Sequence, residues 1–271
     1  MNNINQHTAV KILMPALLAH GAYKSTTYKE PPVEQTPSEA LISARLKPFL
    51  DQMGIRQDLK IKEQVNLGFA EAIGTNYFTS GDAVIHTAPN LHQIDPEASS
   101  FILKHEISHL KHNDSFTACA LGLISALTAL ALTNSYDASR SADITAFAGA
   151  IPLVSYKYYC EGKADDFAIA NSSIDELKGG RRIFKAMQQL YLESRQKASW
   201  KKLLISPQGE NLLDALHPSL ASRIQKIESH LKIKQGIINE ADEQEKIEKL
   251  KTLVKEMKQK VLEDFKQQIL R

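Results

Sequence analysis

Cysteine is nearly missing from this chain. Cys119 and Cys160 are the only two in 271 residues, too few for a disulfide-rich scaffold. They fall at the same end of an expected helical hairpin, which leaves either a bridge in an oxidising compartment or two buried free thiols, the commoner arrangement. A dominant charge sign is missing too: 33 Lys and Arg against 31 Asp and Glu give a formal net charge of +2. With no long basic block and no alternation of aromatic and basic residues, there is no electrostatic case for a nucleic-acid partner. The G-x-x-x-x-G-K-[ST] phosphate loop and the G-x-S-x-G elbow are both absent, which excludes P-loop phosphoryl transfer and the α/β-hydrolase triad. No internal repeat is present. A chain of this length buries a substantial core, and one main domain with appendages is the default.

The stretch His105-Glu106-Ile107-Ser108-His109 reads H-E-x-x-H. Asp95 is placed to N-cap a helix, Pro96 suits its first position and Glu97 favours the positive end of the helix dipole. On a helix from about residue 96 to 113, His105 and His109 stand one turn apart on one face and can share one tetrahedral zinc ion. Glu106 lies beside them as a candidate general base. The motif arises by chance in a chain of this composition with a probability on the order of a few per cent, so a third ligand has to be found. The metzincin extension would need a glycine at His112 and a histidine at Ser115, which excludes that class. A downstream E-x-x-x-D is the alternative, and Glu161-Gly162-Lys163-Ala164-Asp165 fits it. Glu161 would be the third ligand, and Asp165, one turn on, would accept an N–H from a ligand histidine and fix its tautomer.

Around this motif the chain is mostly helical with a small sheet. Residues 9–19 form a short apolar run compatible with a signal peptide, an anchor or a helix packed on the core. Residues 29–37 read as a linker, and Leu41–Met53 as a helix stopping near Gly54. Segments 59–65, 69–79 and 82–88 read as strands. Residues 117–133 are uncharged and read as one apolar helix, and 144–156 form a second uncharged run. Together they predict a helical hairpin, 115–158, either buried in the protein or inserted in a bilayer. Its polar connection, including Ser135 and Ser141, is expected to face solvent or the side away from the catalytic head. Lys111, Lys157 and Lys163 flank its base and would keep that head cytoplasmic if the hairpin inserts. The C-terminal segment carries Ile247, Leu250, Val254, Met257 and Val261 at heptad-like spacing, available for packing within the chain or on a second copy.

Four blocks in order resemble the HtpX and CAAX-prenyl-protease family of zinc metallopeptidases. They are Asn76-Tyr77-Phe78-Thr79, where the family has an Asn-Ala-Phe-Ala edge strand; His105 to His109 followed by Asn113-Asp114; Glu161 to Asp165; and His217-Pro218-Ser219 with Arg223 and Ile224. The chain departs from the family at Tyr77 and Thr79, which replace alanines, and in a hairpin more polar than the family's transmembrane pair.

The resemblance implies an α+β, mostly α, zincin-type fold. An N-terminal apolar segment (1–30) would precede a metallopeptidase domain (31–234) and a Lys/Glu-rich C-terminal helix (235–271). It also implies one zinc ion held by His105, His109 and Glu161, with Glu106 as base and Asp165 behind a ligand. His217 would stand either over the site as an oxyanion donor or as a helix-entry residue, and Arg223 would anchor its segment through a carboxylate. A protein or peptide substrate would pair with the strand at Asn76–Thr79. The activity implied is that of a metalloendopeptidase on a membrane-associated chain with a cytoplasmic catalytic head; a soluble or exported protein is the alternative location. The competing functions are a zinc-stabilised binding protein with little turnover and a membrane adaptor with a fortuitous motif. An intact Glu106 argues against the first, and the later blocks argue against the second.

Overall fold

The computed structural model describes residues 6–27, 29, 34–56, 58–64, 70–73, 82–133, 138–197, 199–212, 214, 216–234 and 240–269. Helix α1 spans Gln6–Thr27 and α2 spans Pro37–Met53. Thr36 caps α2 through a capping box with Glu39, and Gly54 closes it in a left-handed conformation. Three short strands follow: β1 (Lys60–Glu63), β2 (Ala70–Ile73) and β3 (Val84–Thr87). They form one mixed sheet in the order β1-β3-β2, with β3 parallel to β1 and antiparallel to β2. The expected edge-strand residues Asn76, Tyr77, Phe78 and Thr79 lie outside the described residues.

A one-turn helix, α3 (Leu91–Ile94), leads into α4 (Pro96–His112), which carries the H-E-x-x-H motif. Its entry follows the sequence expectation: the Ala98 N–H donates to Asp95 Oδ1, and Pro96 opens the first turn. Two apolar faces bury α4. Ala98, Phe101 and Ile102 belong to one core with α7 (Ile174–Lys197), α8 (Leu220–Lys234) and α9 (Glu240–Ile269). Leu103, Ile107 and Leu110 belong to a second core with α2, β1 and β3. The third face bears His105, Glu106 and His109. Burial on the other two faces fixes how α4 is rotated, and so where these side chains point.

The α4–α7 contact is unusually close and uses the pair Gly179-Gly180. A methyl at Gly179 would sit 2.3 Å from the Ala98 nitrogen and 2.5 Å from the Glu97 carbonyl carbon. The same contact is locked by Arg182, whose Nε and one terminal nitrogen donate to Asp95 at 2.7 and 2.8 Å. Asp95 therefore caps α4 and pins it to α7 at once. The C-terminal stripe is used inside the chain: Ile247, Leu250, Leu253 and Met257 of α9 join the α7–α8 core. Val254 packs against it half-buried, and the side chain of Val261 lies outside the description.

The expected hairpin is present as α5 (Asp114–Leu132) and α6 (Ala138–Ala170), the latter running unbroken past Pro152 to carry Glu161 and Asp165. It is not buried in the protein, because only 17% of the apolar window of α5 is covered. Small residues face inward, namely Ala118, Gly122 and Ala126 of α5 and Ser141, Ala142 and Thr145 of α6. Large apolar residues face outward: Leu121, Ile124, Leu127 and Leu132 on α5, and Ile144, Phe147, Ile151 and Val154 on α6. Helix α1 packs against the pair, with Leu18 turned in and Leu13 and Leu17 turned out. The expectation that Ser141 faces solvent fails. It is fully buried and hydrogen-bonded to Thr133 Oγ1 at 3.0 Å, because α6 already continues through the polar stretch and turns the serine into the helix interface. Ser135 lies outside the described residues. Both cysteines are free thiols, Cys160 buried and Cys119 half-buried.

The glycine contacts give a paired stability prediction. Ala in place of Gly within a helix ordinarily gains up to ~1 kcal/mol. Gly162→Ala should show that gain, since nothing lies within 4 Å of its added methyl. Gly179→Ala meets α4 backbone and should lose at least ~2 kcal/mol. Denaturant unfolding of the two variants checks this, and equal effects at both positions would contradict the close α4–α7 contact.

Candidate metal centre

His105 and His109 project from the third face of α4, and Glu161 reaches them from α6. His105 Nε2 lies 3.2 Å from His109 Nε2 and 3.1 Å from Glu161 Oε2, while His109 Nε2 lies 3.4 Å from Glu161 Oε1. All three residues are mostly shielded from solvent. Among the described residues they form the cluster whose ligand atoms converge closely enough to hold a metal ion.

The opposite side of each imidazole decides what these atoms are. His105 Nδ1 stands 3.0 Å from Asp165 Oδ1, and His109 Nδ1 stands 2.8 Å from Asp114 Oδ2. An ionised carboxylate only accepts, so each Nδ1 carries the proton and each Nε2 offers a lone pair. Two lone pairs and a carboxylate then face one point, an arrangement that calls for a cation. The spacing suits zinc: donors about 2.0–2.1 Å from a tetrahedral ion stand roughly 3.3–3.4 Å apart. The donor set and the distances between donors therefore both fit the metal.

Without the metal, protons meet the same demand. Burial pushes both histidines down, but the carboxylates outweigh it. His105 is raised by Asp165 and Glu161, and His109 is raised to about 10 by Asp114 and Glu161. Burial would raise Glu161 and Asp165, yet both are held well below the usual carboxylate range, Glu161 by the two histidines and Asp165 by Arg223 and His105. A metal entering this cluster displaces protons, as a ligand set of imidazoles and a carboxylate requires.

The remaining predicted residues divide clearly. Arg223, from α8, donates to Asp165 Oδ1 at 2.6 Å, so it anchors its segment through a carboxylate as expected. The loop before α8 brings His217 to the rim, with Nε2 3.6 Å from Glu161 Oε2 and Nδ1 2.8 Å from Asp214 Oδ1. Glu106 is half-buried beside the cluster, and its Oε2 accepts the Ala72 N–H of β2 at 2.9 Å. His112 turns back to the Ser108 carbonyl and away from the cluster.

Three participants had no role in the sequence reading. Asp114 was visible in the Asn113-Asp114 pair, directly after the helix terminator. Asn113 adopts φ 54° there, so α4 ends and α5 starts with Asp114 folded back on His109. Asp214 had a weaker signal, a carboxylate three residues before a histidine. Ala72 contributes a backbone group, which no side-chain pattern announces.

The model of peptidase family M48 matches residues 61–231, which include both histidines, Glu106, Glu161, Asp165, His217 and Arg223. The chain belongs to peptidase family M48. Its members are zinc metallopeptidases, and the match reaches the family as a whole, not the HtpX or CAAX-prenyl-protease branch. Comparisons with curated proteins and with solved structures gave no match.

Proposed function

We propose that this M48 chain is a metalloendopeptidase that cuts interior peptide bonds of protein substrates, with His105, His109 and Glu161 holding one zinc ion and Glu106 as general base. The observation that supports it most is the pinned pair of imidazoles, each fixed by a carboxylate so that two Nε2 lone pairs and Glu161 converge, with Glu106 next to them. When bound, zinc supplies a Lewis acid that lowers the pKa of water towards ~7 and polarises a carbonyl.

The other roles fall to the chain itself. The Glu106 carboxylate takes a proton from the attacking water and returns it to the leaving nitrogen as the C–N bond breaks. Asp165 and Asp114 keep Nδ1 protonated on their histidines throughout, which holds both rings in one tautomer and orientation. Asp214 accepts from His217 Nδ1, so His217 Nε2 carries a proton only as imidazolium. In that form it donates to the oxyanion on the substrate carbonyl. An extended substrate adds to the open edge of the described sheet at β2 and pairs with Asn76–Thr79, backbone to backbone.

We also place α1, α5 and the first part of α6 in a bilayer. Helix α5 is long and apolar enough to cross one, and in water its outward Leu and Ile side chains would form an apolar face that none of the described residues covers. Small residues between helices and large apolar residues outside is the packing expected where lipid, not protein, is the outer solvent. Lys111, Lys157 and Lys163 at the base put the catalytic head on the cytoplasmic side.

Two measurements test these readings. Turnover of a quenched peptide should be abolished by a chelator, be restored by zinc and fall ~10²–10⁴-fold in Glu106→Gln with one zinc per chain retained. Near-wild-type turnover in that variant would refute the mechanism. For the location, the expressed protein should stay in the membrane pellet after alkaline carbonate extraction, and full release into the supernatant would contradict insertion.

A further inference from the structure

Strand β2 forms the open edge of the described sheet, and its backbone alternates between the two sides. The Lys60 and Gln64 N–H groups donate to the Ala83 and Thr87 carbonyls, so odd-numbered residues around β3 spend their backbone groups on β1. Even-numbered Val84 and His86 therefore turn to β2, where the register sets them opposite Ile73 and Glu71. Ala70 and Ala72 are left at the non-hydrogen-bonded positions, with N–H and C=O pointing away from the sheet. The Ala72 N–H points to the Glu106 carboxylate and donates to Oε2 at 2.9 Å.

This contact joins two elements that already pack on each other, with Ala70 and Ala72 lying against the core that includes Leu103, Ile107 and Leu110. Glu106 sits on α4, held by two cores, and Ala72 sits on a strand held by β3. A glutamate side chain has three rotatable bonds, and a carboxylate at the rim of a cleft can point in many directions. One fixed donor on Oε2 removes most of that freedom and leaves Oε1 as the oxygen that can take a proton.

On the reading of Glu106 as general base, we infer that the Ala72 backbone amide is a positioning group for it. The amide holds one carboxylate oxygen so that the other is presented to the water. The same bond withdraws the Ala72 N–H from the ladder that an incoming peptide makes, so substrate pairs with the other outward groups of this edge. Any residue except proline can supply the donor at position 72.

The test compares Ala72→Pro, which removes the donor, with Ala72→Gly, which keeps it. Ala72 makes no ladder bond to β3 through its N–H, so proline there is compatible with the sheet. The zinc-loaded Ala72→Pro enzyme should show kcat lowered tenfold or more, KM within about twofold and one zinc per chain, because a misaimed base costs turnover and not binding. Ala72→Gly should keep kcat within about threefold. A raised KM with kcat unchanged in Ala72→Pro would mean that the strand only binds substrate, and would overturn the inference.

A second arm leaves β2 untouched and needs neither activity nor metal. Amide hydrogen exchange at Ala72 should speed up at least tenfold in Glu106→Ala, with Ile73 unchanged, and stay slow in Glu106→Gln, whose amide oxygen still accepts. Unchanged exchange at Ala72 in Glu106→Ala would overturn the inference even if proline at 72 unfolds the strand. If Glu106→Gln keeps its turnover, the proposed function fails instead, and the exchange arm still decides whether the bond exists.

Discussion

The geometry of this site depends on keeping two imidazole nitrogens 3.2 Å apart with both lone pairs turned to the same point. Left alone, each ring would rotate or keep its one proton on Nε2. Asp165 and Asp114 fix the rings by accepting from Nδ1, so that a proton or a cation must enter on the Nε2 side, and the elements carrying them serve this task. Asp114 opens α5 directly after the left-handed Asn113, and Asp165 lies one turn beyond Glu161 on α6. Arg223 holds Asp165 from the other side, so α8 is tied to the same point. The two halves of the hairpin thus deliver three of the carboxylates around the histidines.

Distance from the motif does not mean independence from it. The Asp95–Arg182 ion pair and the glycine pair of α7 set how close α4 comes to its neighbour. The two cores set its rotation. A ligand face on a helix is useful only if the helix cannot turn about its axis. Here the apolar residues at 101, 102, 103, 107 and 110 provide that restraint, and the polar ones at 105, 106 and 109 take what is left.

Much of this was legible in the residues, because the relevant interactions are local. Asp95-Pro96 marked the start of α4, Gly54 marked the end of α2, and the one-turn spacings of His105–His109 and Glu161–Asp165 put each pair on one helix face; α2 itself begins at Pro37, four residues before the expected Leu41. What escaped the sequence depends on tertiary placement. The Ala72 amide is a backbone donor with no side-chain signature. Asp214 gains its meaning only when its loop reaches the rim of the cluster. The burial of Ser141 followed from α6 starting earlier than the polar stretch suggested. The choice between a buried and an uncovered hairpin could not be read from composition, since Ala, Ser and Thr suit both. It is decided by which way Leu121, Ile124, Phe147 and Ile151 face.

The most direct test of the account is the zinc environment itself, read by X-ray absorption at the zinc edge on protein purified with one zinc per chain. Two imidazole nitrogens at about 2.0–2.1 Å and one carboxylate oxygen at about 2.0–2.2 Å, with no sulfur, are predicted, and the imidazole signal should halve in His109→Ala. A sulfur scatterer near ~2.3 Å, which would bring in Cys160, or an imidazole count unchanged by His109→Ala would contradict it.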